Sequence, residues 1–409
     1  MRILTFTSLF PSSCDPTHAI FVYQRCAHLA RRPDNEVIVV SPVPYFPSWL
    51  KTNRWRTASQ VPTEERIGSL TVYHPRYFLL PKIFMTLHAV SMFLGCRPEV
   101  ARLNERAKLD CIDAHFVYPD GLAAVLLGKF LGVPVIVSAR GSDIHAYPAF
   151  RTIRPMIRWT LQHADALIAV SASLKKSMIE LGASADKIHV IPNGIDPVRF
   201  QPVPISQARQ ELNLPVDAPF IVSVGALIPS KGHQFLVRAF GRIAGRHPDM
   251  RLAILGEGPL RSQLEKLILE LGLRDRVHLL GKRPNEELRL WYSAATASCL
   301  ASAGEGWPNV VTESLTCGTP VVATRVGGIP EILQSSEFGV LVEQSVDAIA
   351  AGLEEALSRS WDRETISQRT LTRTWETVAA EVEDVFKAAL RARVLSSVSR
   401  AKEQTRKAP

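Results

Sequence analysis

Two carboxylates, Glu305 and Glu313, stand in the segment Ser302-Ala-Gly-Glu-Gly-Trp-Pro-Asn-Val-Val-Thr-Glu-Ser-Leu-Thr-Cys-Gly-Thr-Pro-Val-Val-Ala-Thr324. The pattern reads as a glycine-bracketed loop, a helix opening at Pro308 and a strand after Gly318. Proline is pre-set for a first helical turn and glycine for a helix end. The opening amides of such a helix, near Asn309, Val310 and Val311, suit an anionic ligand. Ionised carboxylates only accept hydrogen bonds, so Glu305 and Glu313 suit the hydroxyls of a ribose or a sugar. The same two residues also read as a solvated loop charge and a surface helix charge.

A second segment, Val222-Ser-Val-Gly225-Ala-Leu-Ile-Pro-Ser-Lys231-Gly-His233, reads as a strand, a turn and a helix start. Lys231 would project where phosphates sit over a first βα turn, as a point charge. It also reads as a surface lysine. The turn Gly256-Glu-Gly258-Pro-Leu-Arg lacks the third glycine of a dinucleotide fingerprint, and the chain has no Walker A motif. Dinucleotide-dependent and P-loop chemistries lose ground.

In the first half, Asp113-Ala-His115-Phe-Val-Tyr-Pro-Asp120 and Val137-Ser-Ala-Arg140-Gly-Ser-Asp143 carry the polar residues of interest. Arg140 and Asp143, beside glycine at a strand end, could hold hydroxyls or a phosphate, or could brace a loop. His115 could be a base, but taken alone it reads more often as a satisfied structural histidine. The six cysteines are scattered, without C-x-x-C or metal-ligand spacing, so no metal site is expected.

These residues need a scaffold that ends strands near helix starts. Short apolar runs alternate with helical patterns twice over: strands at 3–7, 37–43, 133–138, 166–171 and 188–191, then at 220–225, 251–255, 277–280, 297–301, 321–324 and 340–342. Runs apolar throughout indicate parallel strands covered on both faces. The expectation is two doubly wound α/β domains, 1–195 and 218–361, joined by a proline-rich linker at 196–217. A helix over 362–390 and a basic, disordered tail at 391–409 complete the reading.

The 409 residues suit two or three domains. The net charge of +9 divides into +8 for residues 1–195, −4 for 196–390 and +5 for the tail. The basic first half and acidic second half suggest two domains facing different partners, the basic parts being suited to an anionic surface such as a membrane. Charge is the sole argument for nucleic acid, since no aromatic-basic module accompanies it; no nucleic-acid partner is expected. The apolar stretch Tyr77–Leu94 reads either as an interfacial segment or as a buried helix. The N-terminus lacks a signal-peptide pattern, and the longest uncharged apolar stretch is too short to span a bilayer, so a cytoplasmic protein is expected, with peripheral attachment to the inner face of the membrane left open.

Together these motifs resemble the retaining, family-4 (group 1) nucleotide-sugar glycosyltransferases of the GT-B fold. The likeness covers about residues 1–390. It rests on Glu305-x7-Glu313, the continuation through Val326-Gly-Gly-Ile-Pro-Glu331, the hinge Val190-Ile-Pro-Asn-Gly-Ile-Asp196 and Phe10-Pro…His18-Ala-Ile-Phe-Val22. The resemblance implies two Rossmann-like domains facing across a cleft, with a C-terminal helix crossing back. It implies a metal-independent hexosyltransferase without cofactor, taking a nucleoside-diphosphate sugar to a glycan or lipid-linked acceptor in cell-surface polysaccharide synthesis. Glu313 would hold the ribose, Lys231 the diphosphate, Glu305 the transferred sugar, and amides near Asn309–Val311 the phosphates. Gly225 would line the donor site, Arg140 would take part in catalysis, and Asp143, His115, His18 and Ala19 would lie on the acceptor side.

Three departures stand out. Ala226 replaces the arginine usual after the strand-end glycine, Arg140 replaces the usual histidine before Gly-x-Asp, and Ala19 stands where the family has glycine. The rival reading is a catalytically silent GT-B-like scaffold in a membrane polysaccharide-assembly complex.

Overall fold

The computed structural model describes residues 1–45, 58–79 and 85–406, with side chains through 395. Part of the apolar stretch Tyr77–Leu94 therefore lies outside the described residues. Two compact units form, Met1–Asn193 together with the segment from Trp375 onward, and Gly194–Thr374.

The first unit is built on an eight-stranded sheet. Its spatial order is Ile188–Val190, Ala166–Ala169, Val135–Ala139, Cys111–His115, Arg2–Phe6, Glu36–Val40, Leu70–Tyr73 and Glu64–Ile67. All neighbours are parallel except the last pair, an antiparallel hairpin. Cys111–His115 and Val135–Ala139 are buried at every position, as strands covered on both faces must be. The strand order reverses between Arg2–Phe6 and Cys111–His115, where open α/β sheets leave a crevice at the strand ends.

The helix Trp375–Arg406 returns to this first unit. Trp375, Val378, Ala379, Val382, Val385, Phe386 and Ala389 recur at helical spacing and pack with Val22, Cys26 and Leu29 of the helix Ile20–Arg31. Burying a side chain such as Phe386 contributes roughly 1.5–3 kcal/mol. The expected helix over 362–390 is in fact two. Arg363–Thr370, capped by the Asp362 side chain, belongs to the second unit, and Trp375–Arg406 belongs to the first. The break lies at the turn before Trp375, where Thr374 bridges Ile195. The tail expected to be disordered continues as helix through Arg406.

The second unit carries six parallel strands in the order Val277–Gly281, Arg251–Leu255, Phe220–Val224, Ala297–Leu300, Val321–Thr324 and Gly339–Val342. The order reverses between Phe220–Val224 and Ala297–Leu300. Helices His233–Ile243, Arg261–Glu270 and Val346–Ser358 cover one face, and Ile205–Glu211 and Asn285–Ala294 contribute to the other. The linker reading needs correction here, because Ile205–Glu211 packs on Asn285–Ala294 and Arg209 Nε donates to the Ala294 carbonyl at 3.0 Å.

The stretch Tyr77–Leu94 follows neither of its two readings in full. Arg76–Phe78 is a strand, and the helix His88–Arg106 buries Ala89, Met92 and Cys96 while leaving Leu94 exposed. Among the described residues, no helix is long and apolar enough to cross a membrane.

Candidate active site

In the second unit, the expected donor residues gather at the strand ends beside the reversal of strand order. Lys231 closes the turn Pro229–Lys231 after strand Phe220–Val224, and Glu305 lies in the loop after Ala297–Leu300. Lys231 Nζ donates to Glu305 Oε1 at 2.5 Å, and the Ser302 hydroxyl donates to the same oxygen at 2.6 Å. The two loops are tied by backbone as well, Ala303 N donating to Ser230 O at 2.8 Å. Gly232 is left-handed at φ 66°, and a Cβ there would stand 2.0 Å from the Ala301 carbonyl oxygen. Gly327 (φ 54°) holds the Glu305 loop from the far side, where a Cβ would fall 1.8 Å from the Glu305 carbonyl oxygen. Only glycine permits either approach.

Glu313 sits within the helix Asn309–Thr316 and accepts from the Tyr292 hydroxyl at 3.0 Å. Burial pushes its carboxyl up to about 7, against the opposing pull of the tyrosine hydroxyl and of Arg199. Asn309, Val310 and Val311 form the first turn as expected, but the Val311 amide already donates to Pro308 O at 3.0 Å. Gly225 N donates to Leu255 O at 2.9 Å, and a Cβ at Gly225 would meet nothing nearer than His233 Nε2, at 3.6 Å. Ala226, where the family has arginine, is exposed beside it.

The first unit holds a buried charge network at its own reversal of strand order. Arg25 Nη2 donates to Asp113 Oδ1 at 2.7 Å, and Arg25 Nη1 to the Ser138 hydroxyl at 2.8 Å. Asp113 Oδ2 lies 3.1 Å from His115 Nε2, and Arg140 donates to His115 Nδ1. Arg140 also donates to Asn193 Oδ1 at 3.2 Å and lies over the Phe21 ring. A guanidinium only donates, so Nδ1 of His115 accepts, and Nε2 carries the proton toward Asp113. Burial lowers the His115 imidazole to about 3. Burial alone would raise Asp113, but Arg25 and His115 outweigh it and hold the carboxyl at about 2.

This arrangement corrects the acceptor-side expectation for His115. Its side chain is fully buried with both ring nitrogens occupied, so it orients Arg140 and touches no acceptor. Asp143 is likewise buried and receives the amides of Val117, Arg140 and Gly141 at 2.8, 3.0 and 2.8 Å. It braces the loop through backbone donors and makes no side-chain pair with Arg140. His18 is exposed, and Ala19 caps the helix Ile20–Arg31 in the left-handed region at φ 47°. Nearby, Asp120 accepts from Ser8 N at 2.8 Å and from the Ser8 hydroxyl at 3.0 Å, and burial raises its carboxyl to about 7.

Residues 204–373 match the family described as glycosyl transferases group 1, and residues 18–199 match Glycosyltransferase Family 4. An uncharacterized glycosyltransferase of Methanocaldococcus jannaschii is 33% identical over 354 residues, 81% of this chain and 87% of that protein. The chain belongs to the family-4, group 1 glycosyltransferases. A Bacillus subtilis (strain 168) glycosyltransferase assigned provisionally to teichuronic acid biosynthesis is 28% identical over 393 residues, 93% of this chain and 94% of that one. The Anabaena protein HepE, solved in complex with UDP, matches at TM-score 0.69 and 21% identity, over 95% of this chain and 100% of its own. The glycosyltransferase thus has the GT-B fold.

Sequence reasoning did not single out Arg25, Asn193, Ser302 or Tyr292 as parts of the glycosyltransferase site. Arg25 carried a usable signal, since it interrupts the buried stripe Val22, Cys26 and Leu29. A charge on an apolar face needs a buried partner. Tyr292 carried none, because its partner Glu313 lies 21 residues away on another helix.

Proposed function

We propose that this glycosyltransferase moves a sugar from a nucleoside-diphosphate sugar to a glycan or lipid-linked acceptor, with retention and without a metal ion, in cell-surface polysaccharide synthesis. One observation carries the reading: a lysine ammonium and a carboxylate meet within a hydrogen bond at the switch point of the second unit. Lys231 holds the donor diphosphate, and Glu305 takes hydroxyls of the transferred sugar. Glu313 receives the ribose hydroxyls, and first-turn amides at Asn309 and Val310 approach the phosphates. The acceptor oxygen bonds to the anomeric carbon as the bond to the phosphate oxygen breaks. The acceptor proton passes to that departing oxygen on the same face of the sugar. Lys231 stabilises the charge that develops there, an electrostatic role needing no covalent intermediate.

The relatives support this reading through HepE, whose solved complex holds UDP, and through the Bacillus subtilis protein, named for teichuronic acid biosynthesis. The basic first half suits an acceptor carried on phosphate or at the inner face of a membrane. Binding and turnover are tested by thermal shift with UDP, GDP and ADP, followed by a panel of sugar nucleotides read by released nucleoside diphosphate. Stabilisation by one nucleotide and slow release from its sugar are expected. Absence of stabilisation by all three would replace the enzyme reading with that of a silent scaffold.

A further inference from the structure

On the first unit, a cavity of about 410 Å³ opens at the edge where the strands Val135–Ala139 and Ala166–Ala169 begin. His115 and Arg140 stand at the opposite edge, where the parallel strands end. The helix Leu122–Leu131, the turn at Asp165 and the C-terminal helix Trp375–Arg406 form its walls.

Three cations line this cavity, Lys129, Lys187 and Arg393, together with His163 and one carboxylate, Asp165. The carboxylate is already engaged, accepting from Val135 N at 2.8 Å and from Arg393 Nη1 at 3.3 Å. Lys187 Nζ donates to the neutral carbonyls of Gln162 and Ala164 at 3.2 and 3.1 Å. The carboxylate beside it in sequence, Asp186, takes the Ser184 hydroxyl. The Lys129 ammonium lies 4.6 Å from the centroid of the Trp159 ring, which itself stacks on His163. These contacts order Lys129 and Lys187 without neutralising them, while Asp165 offsets the charge of Arg393. Three cations against one carboxylate leave an excess of positive charge around the cavity, whose Coulomb cost an entering dianion would relieve.

We propose that this cavity binds a phosphate group, separately from the donor site of the second unit, and that the bound phosphate fastens the C-terminal helix to the first unit. Lys129 and Lys187 would contact it from the body of the unit and Arg393 from the helix. Its volume admits inorganic phosphate or the phosphate end of a larger molecule, either a sugar phosphate or a lipid headgroup.

Lysine acetylation footprinting of the full chain tests the site, with labelling at Lys129 and Lys187 read by peptide mass spectrometry. Inorganic phosphate is compared with chloride at matched ionic strength. Protection of both lysines is expected, in the parent and equally in Lys231→Ala, which disables the donor diphosphate contact. Lys129→Gln, whose only assigned partner is a ring face, should weaken phosphate protection of Lys187 about tenfold, the effect of one charge-assisted hydrogen bond. Glucose 1-phosphate and short-chain phosphatidic acid then separate the two sources, the tighter protector naming the ligand type. Equal labelling with and without phosphate overturns the proposal. So does protection that vanishes in Lys231→Ala, because it would then originate at the donor site.

Discussion

Lys231 Nζ donates to Glu305 Oε1 at 2.5 Å, so the two residues assigned to opposite ends of the donor's reacting bond neutralise one another before any donor arrives. Under the proposed roles, an entering diphosphate draws the ammonium from the carboxylate and leaves it available to sugar hydroxyls. Lys231→Ala is expected to weaken binding of the nucleoside diphosphate by about 10- to 100-fold, the range for a lost hydrogen bond to a charged group. Glu305→Ala should lower turnover mainly, with nucleotide affinity held or improved. Calorimetry on the nucleotide and release assays on its sugar separate the two effects; parent-like turnover in both variants would refute the assignment.

With Glu313 on the ribose, as proposed, nucleotide binding acquires a pH response. Ribose hydroxyls donate to an ionised carboxylate, and burial places this carboxyl near 7. Nucleotide affinity should therefore rise with pH through neutrality and level off above it, and Glu313→Gln should abolish the rise. The stability linkage has the opposite sign. A carboxyl raised above its unfolded value costs the folded state stability as pH climbs from about 4.5 through about 7. Thermal melts of the parent and Glu313→Gln without nucleotide should diverge across that window, the variant being relatively more stable at the alkaline end.

Ala226 stands where the resemblance leads one to expect an arginine. The residue is exposed next to Gly225, so an arginine can be introduced without displacing core atoms. Ala226→Arg is expected to tighten nucleoside diphosphate binding about tenfold, the value of roughly one charge-assisted contact. Titration calorimetry at low and high salt should show a gain that shrinks as salt rises.

Arg25 and Asp113 are a buried pair whose members cannot be removed singly at low cost. Arg25→Met leaves Asp113 ionised without its main partner, an arrangement expected to cost about 3–5 kcal/mol. The double variant Arg25→Met, Asp113→Asn should recover a large part of that loss. Denaturant unfolding of the three proteins measures it, and equal stability of single and double variants would break the coupling argument.

Ala19 caps the first helix with φ 47°, a conformation that L residues with a Cβ adopt at a cost of roughly 1–2 kcal/mol. Ala19→Gly relieves it, offset in part by the greater freedom of glycine in the unfolded chain. The expected net gain is about 0.5–1 kcal/mol, visible as a raised unfolding midpoint in denaturant.

Much of this protein was legible before any coordinates. Apolar runs of five or so residues, alternating with helical stripes, set the parallel strands, because a strand covered on both faces tolerates few polar positions. Arg251–Leu255 and Val321–Thr324 stand where their residues place them. The segment Glu305–Glu313 announced a loop feeding a helix through its glycines and proline, since those residues restrict backbone geometry locally. Other elements escaped. Cys111–His115 carries Asp113 and His115 inside the sheet, and a strand with two titratable residues does not look apolar.

What only the tertiary structure decided was which polar groups are occupied. Sequence leaves His115 readable as a base, though more often such a residue is a satisfied structural histidine. Asp113 on the same strand and Arg140 at the end of the next one settle the matter by filling both ring nitrogens, with Arg25 of the first helix holding Asp113 in place. Sequence also leaves Lys231 and Glu305 74 residues apart, with no local rule to join them. Their meeting follows from strands Phe220–Val224 and Ala297–Leu300 lying side by side, a long-range pairing that depends on the whole sheet. Local geometry is written in residue types, while the company a charge keeps is fixed by the fold.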